Sequence, residues 1–437
     1  MAKIIIIGAG LTGLSAAYHL EQAGYHNFEI FEKETSPGGL CRSIYQDGFT
    51  FDYTGHLLHV SDPSFEYVIN KYINKNNLNL IARKSFIYSS DTYTNYPFQT
   101  NLFGLPEQVI QDCILGFVNR PKNLKSHSFY SWVLNKFGSG FAKHFFVPYQ
   151  TKIFDYDIRK ISASWTGRFV PETSLEQIIS GALSNRQTSS LGYNSNFFYP
   201  KTGGIFGWVE QFAKQVKTKI NTNHEITKID FKNKLIFFKH HEKIKYDYLI
   251  NTMPLDLLLK KSIELSSQNL KASSHKLICN SVINFNLGLN LPNVSDKHWI
   301  YFPEQKYPFY RLGFYHNFSK NMTPPNCSSV YGEFAYTRKT KKQVEQTLTR
   351  ALGETQKLLN FSKQDILTQK IIKISHAYVI YNFWREQNLA KIHKSLNHSK
   401  IYSCGRYGEW KYSSMQEAFL DGQTVVAKIL NKIGFYI

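Results

Sequence analysis

Cysteine is scarce and scattered. Five occur in 437 residues (Cys41, Cys113, Cys279, Cys327 and Cys404), none in a Cys-x-x-Cys pair. That spacing argues against a disulfide framework and against zinc, so reduced thiols, a cytoplasmic location and no metal site are expected. Long apolar runs are missing too. The opening run, Ala2-Lys-Ile-Ile-Ile-Ile-Gly8, is too short for a signal peptide and far below the ~20 residues of a spanning helix, so no membrane span is expected. Acidic residues are in short supply, 32 against 52 basic ones, which leaves a net charge of +20. Such an excess can serve nucleic acid, anionic lipid or a phosphorylated small molecule. The basic residues form no compact block, however. Their densest piece, Thr337-Arg-Lys-Thr-Lys-Lys-Gln343, reads as the solvated start of a helix, so the excess is read as surface composition with no nucleic-acid partner. Charged residues make up only 19% of the chain, against 42% hydrophobic and 15% aromatic, which excludes global disorder. At roughly three times a ~150-residue domain, the chain is one large multi-lobed unit or two to three packed domains.

What is present begins at Ile4 to Ile7, four β-branched residues suited to a buried parallel strand. Gly8-Ala-Gly10-Leu-Thr-Gly13 follows at once, then the helical run Leu14-Ser-Ala-Ala-Tyr-His-Leu20, and a second strand, Phe28-Glu-Ile-Phe31, ends at Glu32. Three glycines alone are a weak signal, but strand, tight turn, helix and a trailing acid 22 residues beyond Gly10 together make a dinucleotide-binding βαβ unit. Each position has its own physics. Gly8 permits the turn, Gly10 lets the backbone approach a pyrophosphate, Gly13 lets helix and strand pack closely, and Glu32 offers an acceptor to a ribose.

The run Glu32-Lys33-Glu-Thr-Ser-Pro-Gly38-Gly39-Leu40-Cys-Arg42 resembles the second fingerprint of the FAD-binding group of amine oxidases, protoporphyrinogen oxidases and carotenoid desaturases. Tyr246-Asp-Tyr-Leu-Ile-Asn-Thr-Met-Pro254 resembles the element that precedes the second crossing in such flavoproteins. Ile401-Tyr-Ser-Cys-Gly405-Arg406 reads as a strand entering a glycine turn, and Met415, Ala418, Phe419, Gly422, Val425, Val426 and Ile429 recur at helical spacing. Residues 102 to 183 carry helical periodicity, and residues 278 to 382 carry short alternating strands. The expected fold is a Rossmann-like, two-dinucleotide-binding α/β FAD fold. Its discontinuous FAD domain is expected from 1–80, 193–255 and 396–437, a helical lobe from 102–190, and an antiparallel β-sheet substrate lobe from 81–101 and 275–395.

Four further segments resemble one family within that group, the UDP-galactopyranose mutases of eukaryotic type: Tyr96-Pro-Phe-Gln99, Pro148-Tyr149-Gln150 through Arg168, His298-Trp299-Ile-Tyr301 through Arg311, and Gly405-Arg406-Tyr-Gly-Glu-Trp410-Lys-Tyr412. The resemblance implies that Arg168 and Arg311 bracket a diphosphate. It also implies that Tyr96, Gln99, Phe145, Tyr149 and Gln150 hold a uridine, and that Trp299, Tyr301, Tyr378 and Tyr412 contact sugar or diphosphate. Phe154 stands where the family usually has tryptophan, Phe318 where eukaryotic members have a tyrosine, and Gln150 replaces an asparagine. FAD contacts are implied for Gly8, Gly10, Leu11, Thr12, Gly13, Glu32, Lys33, Gly39, Leu40, Gly55, His56, Gly405, Arg406, Tyr412 and Met415. Catalytic roles are implied for Arg168, Arg311, His56, Tyr301, Tyr378 and Tyr412. The implied reaction interconverts UDP-galactopyranose and UDP-galactofuranose through attack of reduced FAD N5 on the anomeric carbon, with NAD(P)H as a possible external reductant and a homo-oligomer as a possible assembly.

The residues themselves favour that reading: planar guanidinium forks match a diphosphate in shape and charge, and clustered aromatics suit a base and a sugar. The competing reading of either arginine alone is a surface ion-pair residue, and of His56 a satisfied buried histidine, while the aromatics taken singly read as core. The alternatives are a redox flavoenzyme of the amine oxidase, protoporphyrinogen oxidase or desaturase type, and a flavin-binding protein without catalysis.

Overall fold

In the computed structural model the described residues are 1–121, 127–184, 195–263 and 270–435, and the side chain of Arg168 lies outside the description. Four consecutive isoleucines place Ile4–Ile7 in the middle of a five-stranded sheet. In order, its strands are Ile401–Ser403, Tyr248–Asn251, Ile4–Ile7, Phe28–Phe31 and Ile220–Asn221, and every pairing is parallel. A strand covered on both faces can be apolar throughout, and Ile4 to Ile7 are at most 4% exposed. The helix Leu11–Gln22 leaves the central strand and packs on the last helix, Met415–Lys432, where the Ser15 hydroxyl donates to the Phe419 carbonyl at 2.6 Å. The two ends of the chain thereby form one unit.

The other expected regions differ as their sequence periods differ. Helices occupy Glu107–Val118, Phe129–Phe141, Val147–Phe154 and Leu175–Leu183, with a wider turn at Ala142–Phe146. Residues 122–126 and 185–190 of the expected helical lobe, and 193–194 and 436–437 of the expected FAD domain, lie outside the described residues. A seven-stranded sheet runs Ile366–Ile374, Ser281–Leu289, Ser328–Tyr336, Arg311–Gly313, Trp299–Tyr301, Ser85–Ser89, Thr92–Asn95. It is antiparallel except where Trp299–Tyr301 meets Ser85–Ser89, a parallel pair that joins an early segment of the chain to a late one. The fold is α/β with helices and several sheets, the class expected from the sequence.

The glycines of the first turn separate by cause. Gly8 has φ +93°. A Cβ on Gly13 would collide with the Gly8 carbonyl, so Gly13 is demanded by helix–strand packing. Gly10 is different: its φ of −72° suits any residue, and a Cβ there would meet nothing closer than the Gly39 Cα at 3.8 Å. The protein itself has room for an alanine at 10, so any demand for glycine there comes from a ligand that approaches the backbone. Gly10→Ala is therefore expected to lose bound flavin while its flavin-free form melts with flavin-free wild type, whereas flavin-free Gly13→Ala should melt well below both. Thermal melts read beside the 450-nm region absorbance check both; a Gly10→Ala protein that keeps its full flavin content would contradict the assignment.

Candidate active site

The cofactor cradle lies at the carboxyl end of the parallel strands. Gly10 begins the first helix with no side-chain cap, leaving backbone N–H groups available to an anion. The Gly38 N–H donates to the Ala9 carbonyl at 2.8 Å and brings the second glycine pair, Gly38-Gly39, against the first turn. Glu32 is buried, and its carboxylate accepts from the N–H groups of Ala9 at 2.8 Å and Glu34 at 3.0 Å. Both oxygens retain lone pairs for a ribose. Leu11 and Thr12 sit in the first turn of the helix, and a Cβ on Gly405 (φ +77°) would press on Thr12 Oγ1. Leu40 is half-buried, and Met415 opens the last helix behind the Ser414–Glu417 capping box. Lys33, in contrast, is exposed and pairs with Glu34 at 3.3 Å on the surface.

His56 follows Gly55, whose Cα lies against the Tyr331 hydroxyl. Its Nδ1 is buried without a partner. Burial first, then the charges of Arg406 and Arg311, push the imidazole down to about 4. Arg406 donates to the carbonyls of Ser413 at 2.9 Å and Ala377 at 3.2 Å, and its guanidinium lies 4.7 Å from the Tyr412 ring centre. An uncapped helix start, a glycine position open to a ligand, a buried carboxylate with free lone pairs and an unpartnered ring nitrogen together fit a bound dinucleotide such as FAD.

Beyond His56 a cleft opens between the helices and the seven-stranded sheet. Of the residues expected at the substrate, Tyr96, Gln99, Phe145, Tyr149, Gln150, Phe154, Tyr301, Arg311, Tyr378 and Tyr412 all line it. Spacings of four and five residues from Phe145 through Tyr149 and Gln150 to Phe154 put one helical face on the cleft. Phe145 stacks on Tyr149 at 5.2 Å and 11°, Tyr96 and Tyr149 each meet Tyr301 at 5.3 Å, and Tyr378 lies parallel to Tyr412 at 6.3 Å. Burial raises the hydroxyls of Tyr96, Tyr301 and Tyr378, so they stay protonated at neutral pH. The Gln99 amide donates to the Pro171 carbonyl at 2.7 Å, which leaves its oxygen as an acceptor. Trp299 is not in the cleft wall. It is 3% exposed and packs behind Tyr301 against Phe197 and Phe318. Arg168 sits in the turn Gly167–Phe169, and its neighbours Phe169 and Val170 reach the cleft.

Arg311 stands opposite Glu333 in register across two strands. Its Nε donates to Oε1 at 3.1 Å and its Nη2 to both carboxylate oxygens at 2.7 and 2.8 Å, while Tyr310 donates to Oε2 at 2.6 Å. Glu333 is completely buried. The guanidinium is thus held by one edge and faces the cleft with the other.

The flavin-containing amine oxidoreductase pattern matches residues 11–430. The chain belongs to that family. FAD is its cofactor, and the cradle fits it. The structure superposes on that of a reduced UDP-galactopyranose mutase with a TM-score of 0.91 at 28% identity, covering 99% of this chain and 94% of the other. A putative protoporphyrinogen oxidase from Exiguobacterium sp. 255-15 shares the fold with a TM-score of 0.76 at 15% identity, over 99% of both chains. In sequence, a 4,4'-diapophytoene desaturase (4,4'-diaponeurosporene-forming) of Staphylococcus aureus (strain bovine RF122 / ET3-1) is 45% identical over 60 residues. That match takes in 14% of this chain and 12% of the desaturase. Among the described residues, no helix is long and apolar enough to cross a membrane.

Sequence reading missed Glu333, Arg83, Trp165 and Tyr381. Arg83 lies over the Tyr96 ring at 4.8 Å, and Trp165 and Tyr381 complete the wall. Only Glu333 carried a signal, a lone acid inside the apolar run Val330-Tyr-Gly-Glu-Phe-Ala-Tyr336, which needs a partner to be buried.

Two expectations follow. Arg311→Ala strands a buried carboxylate and should cost about 3–5 kcal/mol of stability, much of it regained in the double variant with Glu333→Gln. Urea denaturation of the three proteins measures this, and equal midpoints for both variants would refute the pairing. His56 provides a pH test. In the unfolded chain its imidazole takes a proton near 6.5, in the folded protein only near 4, so folded stability falls as pH drops through that window. His56→Gln should make the acid limb between those values shallower. Asp52, raised to about 6 by burial, works in the opposite direction but is common to both proteins, and parallel acid limbs would rule out the assignment.

Proposed function

We propose that the protein is a flavin-dependent mutase that interconverts UDP-galactopyranose and UDP-galactofuranose, or a closely related UDP-hexose pair, in the cytoplasm for glycan or cell-wall synthesis. The observation that carries the reading is the cleft itself, which sets a fixed guanidinium edge, Arg311, beside stacked aromatics and the free oxygen of Gln99. An apolar polyene or an amine has no use for such a cation, whereas a nucleoside diphosphate needs one. The mutase-like superposition supports the same reading, and the four motifs quoted from the sequence favour the eukaryotic-type subgroup. The desaturase similarity is local and bears on the shared family rather than on the substrate.

In this reading, bound reduced FAD supplies the nucleophile, N5, for the anomeric carbon. The chain's own residues do the rest. Arg311, with Arg168 from the facing turn, holds the diphosphate as negative charge gathers on it and keeps it in the cleft for the return step. Phe145, Tyr149 and Tyr96 flank the base, and Gln99 accepts from its N–H edge. The hydroxyls of Tyr301, Tyr378 and Tyr412 donate to sugar or phosphate oxygens, and their rings exclude water. His56, neutral at the working pH, would offer its unpaired Nδ1 to the cofactor without adding a charge.

Dithionite-reduced protein incubated with UDP-galactopyranose or UDP-galactofuranose, with the products separated by chromatography, tests this. Turnover is expected only after reduction, many products per reducing equivalent, with NAD(P)H acting as a one-time reductant. Arg168→Ala and Arg311→Ala should each lower kcat/KM by roughly tenfold to a hundredfold or more. Stoichiometric consumption of NAD(P)H or oxygen would instead identify an oxidoreductase.

A further inference from the structure

Tyr412 belongs to a short loop, Glu409 to Ser414, that runs from the turn Gly405–Gly408, which carries Arg406, to the last helix. Nothing in the loop is regular. Trp410, at its centre, has a left-handed backbone with φ +56°, a conformation unfavourable for a bulky residue, and its side chain is completely buried. Surrounding structure must therefore hold the loop. Arg385, 7% exposed and in the first turn of the helix Phe383–His398, does so directly. Its Nε and Nη2 both donate to the Trp410 carbonyl, at 2.9 and 2.6 Å, while Nη1 donates to Glu386 at 2.6 Å. The guanidinium plane also lies 3.8 Å from the centre of the Tyr381 ring. The Tyr381 hydroxyl in turn accepts the Tyr412 N–H at 2.7 Å.

We infer that Arg385 and Tyr381 are positioning residues that fix the Tyr412 ring at the floor of the cleft. The two ties act on the same three-residue stretch, one on the Trp410 carbonyl and one on the Tyr412 N–H. Rotation of the intervening peptides would break at least one. With both in place the Tyr412 ring lies parallel to Tyr378, takes the edge of Phe169 at 4.6 Å, and faces the Arg406 guanidinium. Phe169 adjoins Arg168, so Tyr412 also buttresses the turn that carries the second expected diphosphate ligand. Tyr381 is doubly tied, because its carbonyl accepts the Ser162 N–H at 2.7 Å from the strand-like segment that leads to that same turn. A lysine at 385 would keep the charge but could neither grip one carbonyl with two donors nor stack flat on Tyr381.

That Tyr412 meets substrate rests on the mutase reading; that the loop is held by Arg385 and Tyr381 does not. The FAD-loaded protein is therefore compared as wild type, Arg385→Lys, Tyr381→Phe, Tyr412→Ala and the double variant Arg385→Lys/Tyr412→Ala, by amide hydrogen exchange and by UDP titration of the reduced form. Arg385→Lys and Tyr381→Phe are expected to accelerate exchange at residues 410–414 at least about tenfold while the parallel sheet exchanges as in wild type. UDP affinity should fall about tenfold in Arg385→Lys. In the Tyr412→Ala background the same change should cost less than about threefold, because the residue it acts through is gone. Unchanged exchange at 410–414 overturns the inference, as does an undiminished effect of Arg385→Lys when Tyr412 is absent. If wild type itself fails to bind UDP, the mutase reading falls, and the exchange rates alone still decide whether the loop is held as inferred.

Discussion

The buried pairing of Arg311 with Glu333 is the interaction around which the cleft is organised. A lone guanidinium inside a wall of tyrosines would carry a desolvation cost that folding could not absorb. Glu333 supplies the countercharge from the neighbouring strand, in register, and Tyr310 fixes the carboxylate from a third direction. Neutralised along one edge, the arginine can be stable without ligand and still present an unfilled edge to an incoming anion. The same pairing explains why Tyr301 lies where it does, since it is the residue opposite Arg311 on the other side. One ladder of cross-strand partners thus sets a carboxylate, a guanidinium and a phenol in a row.

The surrounding rings act on that row through dielectric as much as through contact. Tyr96, Tyr149 and Tyr378 are each pushed to higher pKa chiefly by burial. Water excluded by these rings no longer screens the arginine, so its attraction for a diphosphate is larger than the same charge could exert at the surface. The net charge of +20, spread over exposed lysines, cannot substitute for this. Surface charges are screened over a Debye length of about 8 Å and add at most to the rate of encounter.

What could be read from the sequence and what could not divide along one physical line. The FAD cradle was legible because its parts are contiguous: strand, turn, helix and acid follow one another within Ile4 to Glu32, and each glycine has a local cause. Motifs such as Tyr96-Pro-Phe-Gln99 and Gly405-Arg406 were legible because they resemble a family's short signatures. Glu333, Arg83 and Tyr381 were not, since each owes its place to a partner distant in the chain. Glu333 reaches Arg311 across a sheet whose strand order no periodicity reveals. Tyr381 matters through the N–H of Tyr412, 31 residues on. Trp299 shows the converse: its segment was recognised, yet the ring packs behind Tyr301 because that side of the sheet is closed by Phe197 and Phe318.

The segment Ala377 to Asn382 joins these two levels. Its backbone pairs with residues 278–280 on one side and with Ile161 and Ser162 on the other, so it lies between the seven-stranded sheet and the chain that leads to Arg168. From it the Ala377 carbonyl accepts from Arg406, Tyr378 and Tyr381 reach the cleft, and Asn382 caps the helix that carries Arg385. Cofactor side, substrate side and the helical region therefore share one short stretch of main chain. A shift there cannot be confined to one of them, because Arg406, held by the Ala377 carbonyl, and Tyr378, which lines the cleft, are attached to it only one residue apart. The closeness of the two sites is thus a consequence of backbone pairing, and the side chains that do the chemistry inherit their spacing from it.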